Sequence, residues 1–304
     1  MHDDGCHFAD HAWHGPVEVI DNVRLARDTF RVRFDCPELA RSITPGQFVM
    51  LRLAGGDDPL LGRPLALYDT VLDAAGNPVG IDVVYLVVGK LTARLATLRP
   101  GARLEVWGPL GNGFPVYDAA HLIMVAGGIG QTPFLALARE QRGLRAYGRT
   151  PRNAPGTAPD STRRVTFCYG ARSKDYLAGV DDFAALGIDV RTSTDDGSAG
   201  HHGFVTELLA ELLEQPAPDV GGAQHARQVV CCGPEPMMAA VARLADRAGV
   251  PCDVSLETPM ACGMGICFSC VVRVRTGEAA DDSAWDYRRS CVEGPVFDAA
   301  RIVF

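Results

Sequence analysis

The sequence lacks long apolar runs, basic tracts and an apolar leader. Its longest aliphatic runs, such as residues 83–88 (VVYLVV), are far too short to cross a bilayer. Lys and Arg form no cluster and the formal net charge is −8, which argues against a nucleic-acid partner. The first residues are acidic and rich in histidine, so no secretion signal is predicted. We therefore expect a cytoplasmic protein with neither a membrane nor a nucleic acid as partner.

Aromatic residues are scarce at 7%, whereas cysteine is plentiful, with ten residues in 304. In a chain that is not exported, cysteines are more often metal ligands or buried thiols than disulfides. The length exceeds that of one ordinary domain, which predicts two or three units. Because 47% of the residues are hydrophobic and 22% are charged, the chain can bury a sizeable core.

The pattern along the chain predicts three regions. Residues 1–118 contain short β-rich segments separated by Pro/Gly turns, which is typical of a small barrel or sandwich. Over residues 119–256 strands alternate with helices, which indicates βαβ units and a parallel sheet. Here residues 175–186 are predicted to form a helix and residues 142–164 a mobile surface loop. The predicted fold is β barrel plus α/β, followed by a small cysteine-rich module over residues 257–304.

Four cysteines in the C-terminal module have a spacing typical of iron–sulfur ligands. They follow the pattern C-x4-C-x2-C and then, after twenty intervening residues, a fourth cysteine: Cys262, Cys267, Cys270 and Cys291. This is the plant-type [2Fe–2S] spacing. Gly263 and Gly265 are expected to leave room for backbone close to the sulfides. Zinc also accepts four thiolates, but zinc ribbons usually show two C-x2-C pairs and this chain has one.

Two glycine turns in the α/β region are candidates for phosphate binding. Residues 125–133 (VAGGIGQTP) leave a strand and open a helix, with Pro133 suited to a first helical position. Residues 231–238 (CCGPEPMM) repeat this strand–turn–helix pattern. The first turn of a helix presents free N–H groups to a phosphate, although a tight turn without a ligand is the alternative. Two such turns in one sheet together favour a nucleotide site.

The barrel region offers a second set of candidate phosphate ligands. Arg63 precedes Pro64, and its guanidinium fork could hold a pyrophosphate bidentately or form a surface ion pair. Residues 87–95 (VVGKLTARL) predict a strand, a glycine turn and a helix beginning at Thr92. The N–H groups of that helix and the Lys90 ammonium could meet the same phosphates.

Taken in order, the segments RPLALYD, VVGKLT, GPLGNGF, VAGGIGQTP, CCGPEPMM, SLETPMACGMGICFSC and SCVEGPVF resemble one known family. The sequence looks like the electron transfer subunits of class 1B dihydroorotate dehydrogenases, a branch of the ferredoxin reductase-like flavoproteins. The resemblance spans roughly residues 15–304. It implies an FAD-binding β barrel over 1–118, an NAD-binding α/β domain over 119–256 and a [2Fe–2S] module over 257–304.

The resemblance also assigns roles to individual residues. Those expected to line FAD and hold its pyrophosphate are Arg63, Pro64, Leu65, Ala66, Gly89, Lys90 and Thr92. Those expected to border the nicotinamide are Gly128, Gly130, Thr132, Cys232 and Gly233. Glu257 and Met260 would lie between flavin and cluster, and Cys232 and Glu257 are the candidate catalytic residues. Arg172 and Lys174 could meet a 2′-phosphate, so NADP stays open beside NAD.

The family resemblance implies an electron relay in pyrimidine biosynthesis. A partner subunit with FMN would oxidise dihydroorotate to orotate within a heterotetramer, and the electrons would pass through [2Fe–2S] and FAD to NAD⁺. One alternative is an NAD(P)H–ferredoxin oxidoreductase-type subunit of another complex. The other is a non-catalytic zinc-binding or regulatory relative of the same fold.

Four features depart from the usual family pattern, and one of them is a longer gap before Cys291 than is typical. Ala66 stands where the family usually has a hydroxyl residue. Leu91 replaces a usual glycine in the phosphate turn, so ordinary backbone angles are expected there. Residues 142–164 are an addition. None of these departures removes a predicted cluster ligand.

Overall fold

The structure is a computed structural model that describes residues 11–56, 58–150, 152, 163–219, 224–277 and 284–304. Within these ranges the chain forms a closed barrel, a seven-stranded sheet with helices, and a two-stranded hairpin. The predicted β barrel plus α/β architecture is confirmed.

The barrel contains six antiparallel strands. They are β1 (Trp13–Ala26), β2 (Thr29–Asp35), β3 (Phe48–Leu53), β4 (Arg63–Leu72), β5 (Pro78–Leu86) and β6 (Arg103–Leu110), in the order β1-β2-β5-β4-β3-β6. In β1 the buried Val17 and Val19 alternate with the exposed Glu18 and Ile20, which is the pattern of a strand with one face on a core. The helices α1 (Pro37–Ser42) and α2 (Lys90–Leu95) lie between strands, and α2 begins two residues before the predicted Thr92.

The second sheet is parallel apart from its last strand. Its parallel strands are β7 (Ala119–Gly127), β8 (Arg164–Ala171), β9 (Asp189–Thr194), β10 (His201–His202), β11 (His225–Cys232) and β12 (Cys252–Ser255), in the order β10-β9-β8-β7-β11-β12. The helices are α3 (Phe134–Gln141), α4 (Val180–Ala184), α5 (Val205–Glu214) and α6 (Glu235–Arg247). Because β7 is central, its residues 121–127 are all buried, as a parallel strand covered on both faces requires. None of the described helices is long and apolar enough to span a membrane.

The C-terminal region belongs to two sheets. Strands β13 (Val271–Arg275) and β14 (Trp285–Arg289) form an antiparallel hairpin. Strand β15 (Val296–Asp298) instead pairs antiparallel with β12, and Phe297 lies opposite Val254. The last strand of the cysteine-rich segment therefore completes the α/β sheet.

Two sequence predictions in the α/β region differ from the structure. The predicted helix over 175–186 is interrupted, because Gly179 has a φ of 71° and forces the chain out of the right-handed helix. What remains is a 3₁₀ turn over Lys174–Tyr176 and the short α4. The first part of the predicted loop lies at the surface, with residues 143, 144, 146, 149 and 150 exposed, but it is anchored there because Tyr147 is only 2% exposed and packs in the barrel core. Residues 151 and 153–162 of that loop lie outside the described part of the chain.

Because His121 is buried, we expect the protein to be less stable in acid. Burial lowers the pKa of this imidazole, which contacts the Thr166 hydroxyl at 2.8 Å, to about 4. The unfolded state, with a pKa near 6.5, binds a proton first, so stability falls as the pH drops from about 6.5 to about 4 by up to about 3 kcal/mol. Urea unfolding should show that the free energy of unfolding falls less between pH 7.5 and pH 5 in His121→Gln than in the wild type. A variant of the exposed His202, His202→Gln, should behave as the wild type does; equal losses in all three chains would contradict the assignment.

Candidate cofactor sites

The cysteine-rich loop follows β12 and rests on the barrel. The indole Nε1 of Trp107, on β6, donates to the carbonyl oxygen of Cys262 at 2.9 Å. Met260 belongs to a buried cluster that also contains Phe48, Met50, Leu110, Cys270, Cys291 and Val292. Met260, which the resemblance places between flavin and cluster, thus packs beside Cys270 and Cys291, and the barrel supplies one wall of the site.

The four predicted ligand cysteines form two pairs. Cys262 acts on the pKa of Cys267, and Cys270 acts on that of Cys291, with a smaller influence from Cys262. Two irons bridged by sulfides each need two thiolates, so this donor set fits a [2Fe–2S] centre. Within the described ranges, no three His, Cys, Asp or Glu side chains converge as they would around one metal ion.

The surroundings of the thiols differ between the two ends of the loop. The Ser269 hydroxyl and backbone lower the pKa of the exposed Cys267 to about 6, whereas burial raises the pKa of Cys291 to about 12. Backbone N–H groups reach two of the sulfurs: Gly265 donates to Cys291 Sγ at 3.2 Å and Met264 to Cys262 Sγ at 3.3 Å. Such amide hydrogen bonds stabilise thiolates and tune a cluster held by them.

The backbone angles and the packing of the loop both require glycine at two positions. Gly263 and Gly265 have φ values of 73° and 77°, which other residues rarely adopt. A Cβ on Gly263 would lie 2.6 Å from Met50 Cγ, and one on Gly265 would lie 2.5 Å from Val292 Cγ2. The sequence predicts that this room faces the sulfides. In the structure it is filled by neighbouring side chains.

The predicted flavin residues lie at one end of the barrel. Arg63 begins β4, which pairs antiparallel with β5, so Arg63 lies near the turn that follows β5 and contains Gly89. The Arg63 guanidinium is exposed and donates to the carbonyl of Gly62 at 2.9 Å. Leu65 points into the barrel core, so only its backbone is available to a cofactor, while Pro64 and Ala66 are half-buried. A Cβ on Gly89 would meet nothing within 4 Å, so backbone is open to a ligand here.

The turn before α2 is organised by local contacts. The Thr92 hydroxyl accepts from the N–H groups of Val88 and Gly89 at 3.0 and 3.1 Å and is buried, so it shapes the turn. Lys90 is exposed, with Nζ 2.5 Å from Asp58 Oδ2. Leu91 is buried in the right-handed helix, which agrees with the ordinary angles expected for it.

The two predicted nucleotide turns touch each other. Strands β7 and β11 are parallel neighbours, and Ala126 lies opposite Cys232. A Cβ on Gly130 would lie 2.2 Å from the Cys232 carbonyl oxygen, and one on Gly233 would lie 2.9 Å from the Gly127 nitrogen. Close packing therefore accounts for these two glycines. Gly128, with a φ of 56° and nothing within 4 Å of its added Cβ, is the one that leaves backbone open to a ligand.

Cys232 and Glu257 meet at the edge of these turns. Burial, helped by the neighbouring Glu257 carboxylate and opposed by the Ser255 hydroxyl, raises the pKa of Cys232 to about 12. Surrounding protein also raises the pKa of Glu257, although its side chain keeps solvent exposure. The structure thus brings the two candidate catalytic residues together. Thr132 is buried two residues before α3, and Arg172 and Lys174 are exposed after β8.

Other polar features were not identified in the sequence. Ser269, inside the C-x2-C pair, and Trp107, on the barrel, both hold the cysteine loop. Gln131 is fully buried, and its amide atoms have no hydrogen-bond partner among the described residues. A cavity of about 600 Å³ lies elsewhere, at the junction of the barrel with β12 and β15, and Arg152 and Asp253 line it. None of the predicted site residues lines this cavity.

Three families match successive parts of the chain. Residues 16–114 match an oxidoreductase FAD-binding domain and residues 124–243 an oxidoreductase NAD-binding domain. Residues 257–303 match the iron–sulfur cluster binding domain of dihydroorotate dehydrogenase B. The predicted FAD, NAD and iron–sulfur cofactors are confirmed at the level of these domains.

Relatives match nearly the whole chain. A dihydroorotate dehydrogenase B (NAD⁺) electron transfer subunit from Desulforamulus reducens is 32% identical, over 95% of this chain and 97% of the relative. That of Geobacillus kaustophilus is 37% identical, over 85% and 86%. Among solved structures, an NADH-dependent reduced ferredoxin-NADP oxidoreductase has a TM-score of 0.74 at 28% identity, covering 94% of this chain and 89% of its own. The ferredoxin reductase of carbazole 1,9a-dioxygenase, with a TM-score of 0.62 at 20% identity and coverage of 79% and 67%, shares the fold.

Proposed function

Because the chain belongs to the family of dihydroorotate dehydrogenase B electron transfer subunits, we propose that it carries electrons from a catalytic subunit with FMN to NAD⁺. In this proposal the catalytic subunit oxidises dihydroorotate, and the chain connects it to the nicotinamide nucleotide. When bound, the [2Fe–2S] cluster supplies one-electron transfer and FAD exchanges one or two electrons. The protein's own part is to hold, separate and orient these groups.

The observation that carries the proposal is the position of the cysteine loop. Two pairs of thiols with amide donors lie against the barrel, and the segment from Glu257 to Met260 leads from the nucleotide turns to the buried cysteines. Arg63 and the open turn at Gly89 are proposed to hold the FAD pyrophosphate. The open turn at Gly128 is proposed to receive the nicotinamide nucleotide beside Cys232 and Glu257.

Purification of the chain with its natural partner tests this proposal. The expected absorption spectrum contains both flavin and iron–sulfur bands, and metal analysis should find two irons per chain. NADH should reduce an artificial acceptor through the bound flavin. A colourless chain that contains zinc would instead support the zinc-binding relative.

The second candidate function is an NAD(P)H–ferredoxin oxidoreductase-type subunit. It is favoured by the likeness to the NADH-dependent reduced ferredoxin-NADP oxidoreductase, which covers 94% of the chain. The partner separates the two functions. Co-purification with an FMN-binding barrel protein supports the dihydroorotate relay, whereas a large iron–sulfur flavoprotein supports the alternative.

The exposed side of the cysteine loop is the proposed contact with the catalytic subunit. Met264, Ile266 and Phe268 are 41%, 75% and 59% exposed, which is unusual for three apolar side chains on one short loop. Electrons must enter near the cluster, so an apolar contact surface is expected here.

Ile266→Asp is therefore expected to weaken binding of the catalytic subunit by about tenfold or more, because a charge is buried in the contact. The iron–sulfur spectrum should not change. The matched control is Ile20→Asp on the barrel strand β1, where Ile20 is 49% exposed. Co-purification and calorimetric titration measure the effect. Equal binding by the Ile266 and Ile20 variants would place the contact elsewhere.

Asp58 offers a test of the proposed flavin site. Its carboxylate engages Lys90 at 2.5 Å and Arg94 at 3.3 Å, so it competes with a cofactor phosphate for these cations. Exposed ion pairs are weak, so Asp58→Asn should tighten FAD binding by only about two- to fivefold. Asp73→Asn, which removes an exposed carboxylate that binds Asn77, is the control. Fluorescence titration of the FAD-depleted chain should show the difference, and weaker FAD binding in Asp58→Asn would count against the site.

A further inference from the structure

A buried ionic cluster joins the barrel to the α/β domain. Asp69 lies on β4 and is 7% exposed. Three side chains from the α/β side face its carboxylate: Arg139 on α3, and Arg145 and Tyr147 from the segment after α3. We call these four residues the Asp69 clamp.

The contacts within the Asp69 clamp are short and use both carboxylate oxygens. The Tyr147 hydroxyl donates to Oδ1 at 2.6 Å, and Arg145 donates to the same oxygen at 2.8 Å. Arg139 places Nε 3.2 Å from Oδ2. Desolvation raises the pKa of Asp69, while Arg145 and the Tyr147 hydroxyl oppose that shift. Arg139 Nε makes no hydrogen bond at this distance, so its contribution is that of a nearby cation. The donors to Oδ1 are Tyr147, Arg145 and the Thr70 N–H at 2.8 Å, and a buried carboxylate held in this way has a strongly preferred geometry.

The segment that supplies Arg145 and Tyr147 is predicted from the sequence to be a mobile loop, yet it is packed against the barrel. Tyr147 is 2% exposed and belongs to the core cluster of the barrel strands. Arg145 also donates to the Thr70 carbonyl at 2.5 Å. A Cβ on Gly148 would lie 2.9 Å from Thr44 Cγ2, so the chain is close to the barrel here as well.

The neighbouring residue on β4 makes a second link between the domains. The Tyr68 hydroxyl, buried at 1% exposure, donates to Asp182 Oδ2 on α4 at 2.6 Å. Consecutive residues of one barrel strand thus reach two helices of the α/β domain. Strand β4 is thus one of the elements that hold the two domains together.

We propose that the Asp69 clamp positions the nicotinamide turn against the flavin, and so sets the geometry of hydride transfer. This inference rests on the proposed function. Asp69 lies on the strand that begins with the proposed flavin residues Arg63–Ala66, and Arg139 lies on the helix that follows the turn at Gly128. The clamp therefore joins the elements that carry the two cofactors. Hydride transfer is sensitive to displacements of about 1 Å, which makes these side chains positioning residues.

The test compares two substitutions that each remove one buried tyrosine hydroxyl. Tyr147→Phe removes a hydroxyl that spans the domains, whereas Tyr85→Phe removes one that donates to Asn22 at 3.0 Å within the barrel. Reduction of the bound flavin by NADH is followed by stopped-flow absorbance. We expect the limiting rate to fall about tenfold in Tyr147→Phe, with FAD content and the half-saturating NADH concentration unchanged. Tyr85→Phe should reduce its flavin at the wild-type rate.

A second pair of variants makes the same comparison by removing a charged side chain instead of a hydroxyl. Arg145→Gln should lower the limiting rate at least as much as Tyr147→Phe. Its control is Arg33→Gln, because Arg33 pairs with Asp82 at 2.8 Å inside the barrel. Wild-type flavin reduction in both Tyr147→Phe and Arg145→Gln would overturn the inference. So would a fall of equal size in the barrel controls.

Hydrogen exchange separates failure of the clamp from failure of the proposed function. In Tyr147→Phe the amides of α3 and of residues 143–148 should exchange severalfold faster than in the wild type, and those in Tyr85→Phe should not. If NADH does not reduce the wild-type flavin, the proposed function fails while exchange still reports on the clamp. Unchanged exchange in Tyr147→Phe would reject the clamp whatever the kinetics.

Discussion

Cys291→Ser is expected to remove the iron–sulfur absorption bands and to lower electron transfer between the catalytic subunit and NAD⁺ at least about hundredfold. Cys291 is 1% exposed, pairs with Cys270 and accepts the Gly265 amide, so a serine there offers a poor ligand at the most enclosed corner of the site. The flavin site lies on the barrel and should stay intact. NADH should therefore still reduce an artificial acceptor at close to the wild-type rate.

The matched control for this substitution is Cys36→Ala. Cys36 is also buried, at 3% exposure, but it lies in the barrel core away from the loop. Its removal should leave the iron–sulfur spectrum unchanged. Iron and sulfide analysis and spectra of both variants decide the question. Retention of the bands in Cys291→Ser would mean that the fourth ligand lies elsewhere.

Adding a methyl group to Gly130 or to Gly128 is expected to produce two different defects. At Gly130 the new Cβ would collide with the Cys232 carbonyl oxygen at 2.2 Å, so backbone must move. We expect Gly130→Ala to lower the free energy of unfolding by about 3 kcal/mol. At Gly128 the space is open, and only the left-handed φ of 56° opposes a side chain, at about 1 kcal/mol.

Gly128→Ala should instead impair nucleotide binding. A methyl group there stands where we propose that the dinucleotide approaches the backbone, so the KM for NADH should rise about tenfold. Urea unfolding and steady-state kinetics with an artificial acceptor measure the two effects in both variants. If Gly128→Ala keeps the wild-type KM, the nucleotide does not approach the backbone at this turn.

Local patterns in the sequence were sufficient for much of the fold and the site. The cysteine spacing indicated a two-iron centre, and the strand–turn–helix segments at Gly128 and Gly233 were found next to each other because parallel neighbours end at the same edge. The positions of the glycines in the sequence could not show that Gly128 has open space beside it while Gly130 is packed against other backbone. That difference depends on which backbone lies opposite, and it needs the register between β7 and β11.

Long-range pairing explains what the sequence could not reveal. Tyr147 lies in a polar, glycine-rich stretch. Nothing in that stretch indicates that its hydroxyl donates to Asp69, on a strand much earlier in the chain. The same holds for Trp107 and the Cys262 carbonyl. The interrupted helix at Gly179 is a local case, where a left-handed glycine ended a helical pattern that the hydrophobic spacing favoured.

The strands at the two edges of the α/β sheet are short, which matters for aggregation at high protein concentration. The exposed edge of a sheet is a template on which a strand of another molecule can add, and long flat edges promote aggregation. Here the borders are β10, with two residues, and β15, with three, while the barrel closes on itself. Loss of β15 would uncover β12, whose third residue, Val254, is fully buried. Strand β15 thus covers an edge that would otherwise be open to a strand of another molecule, as well as completing the sheet.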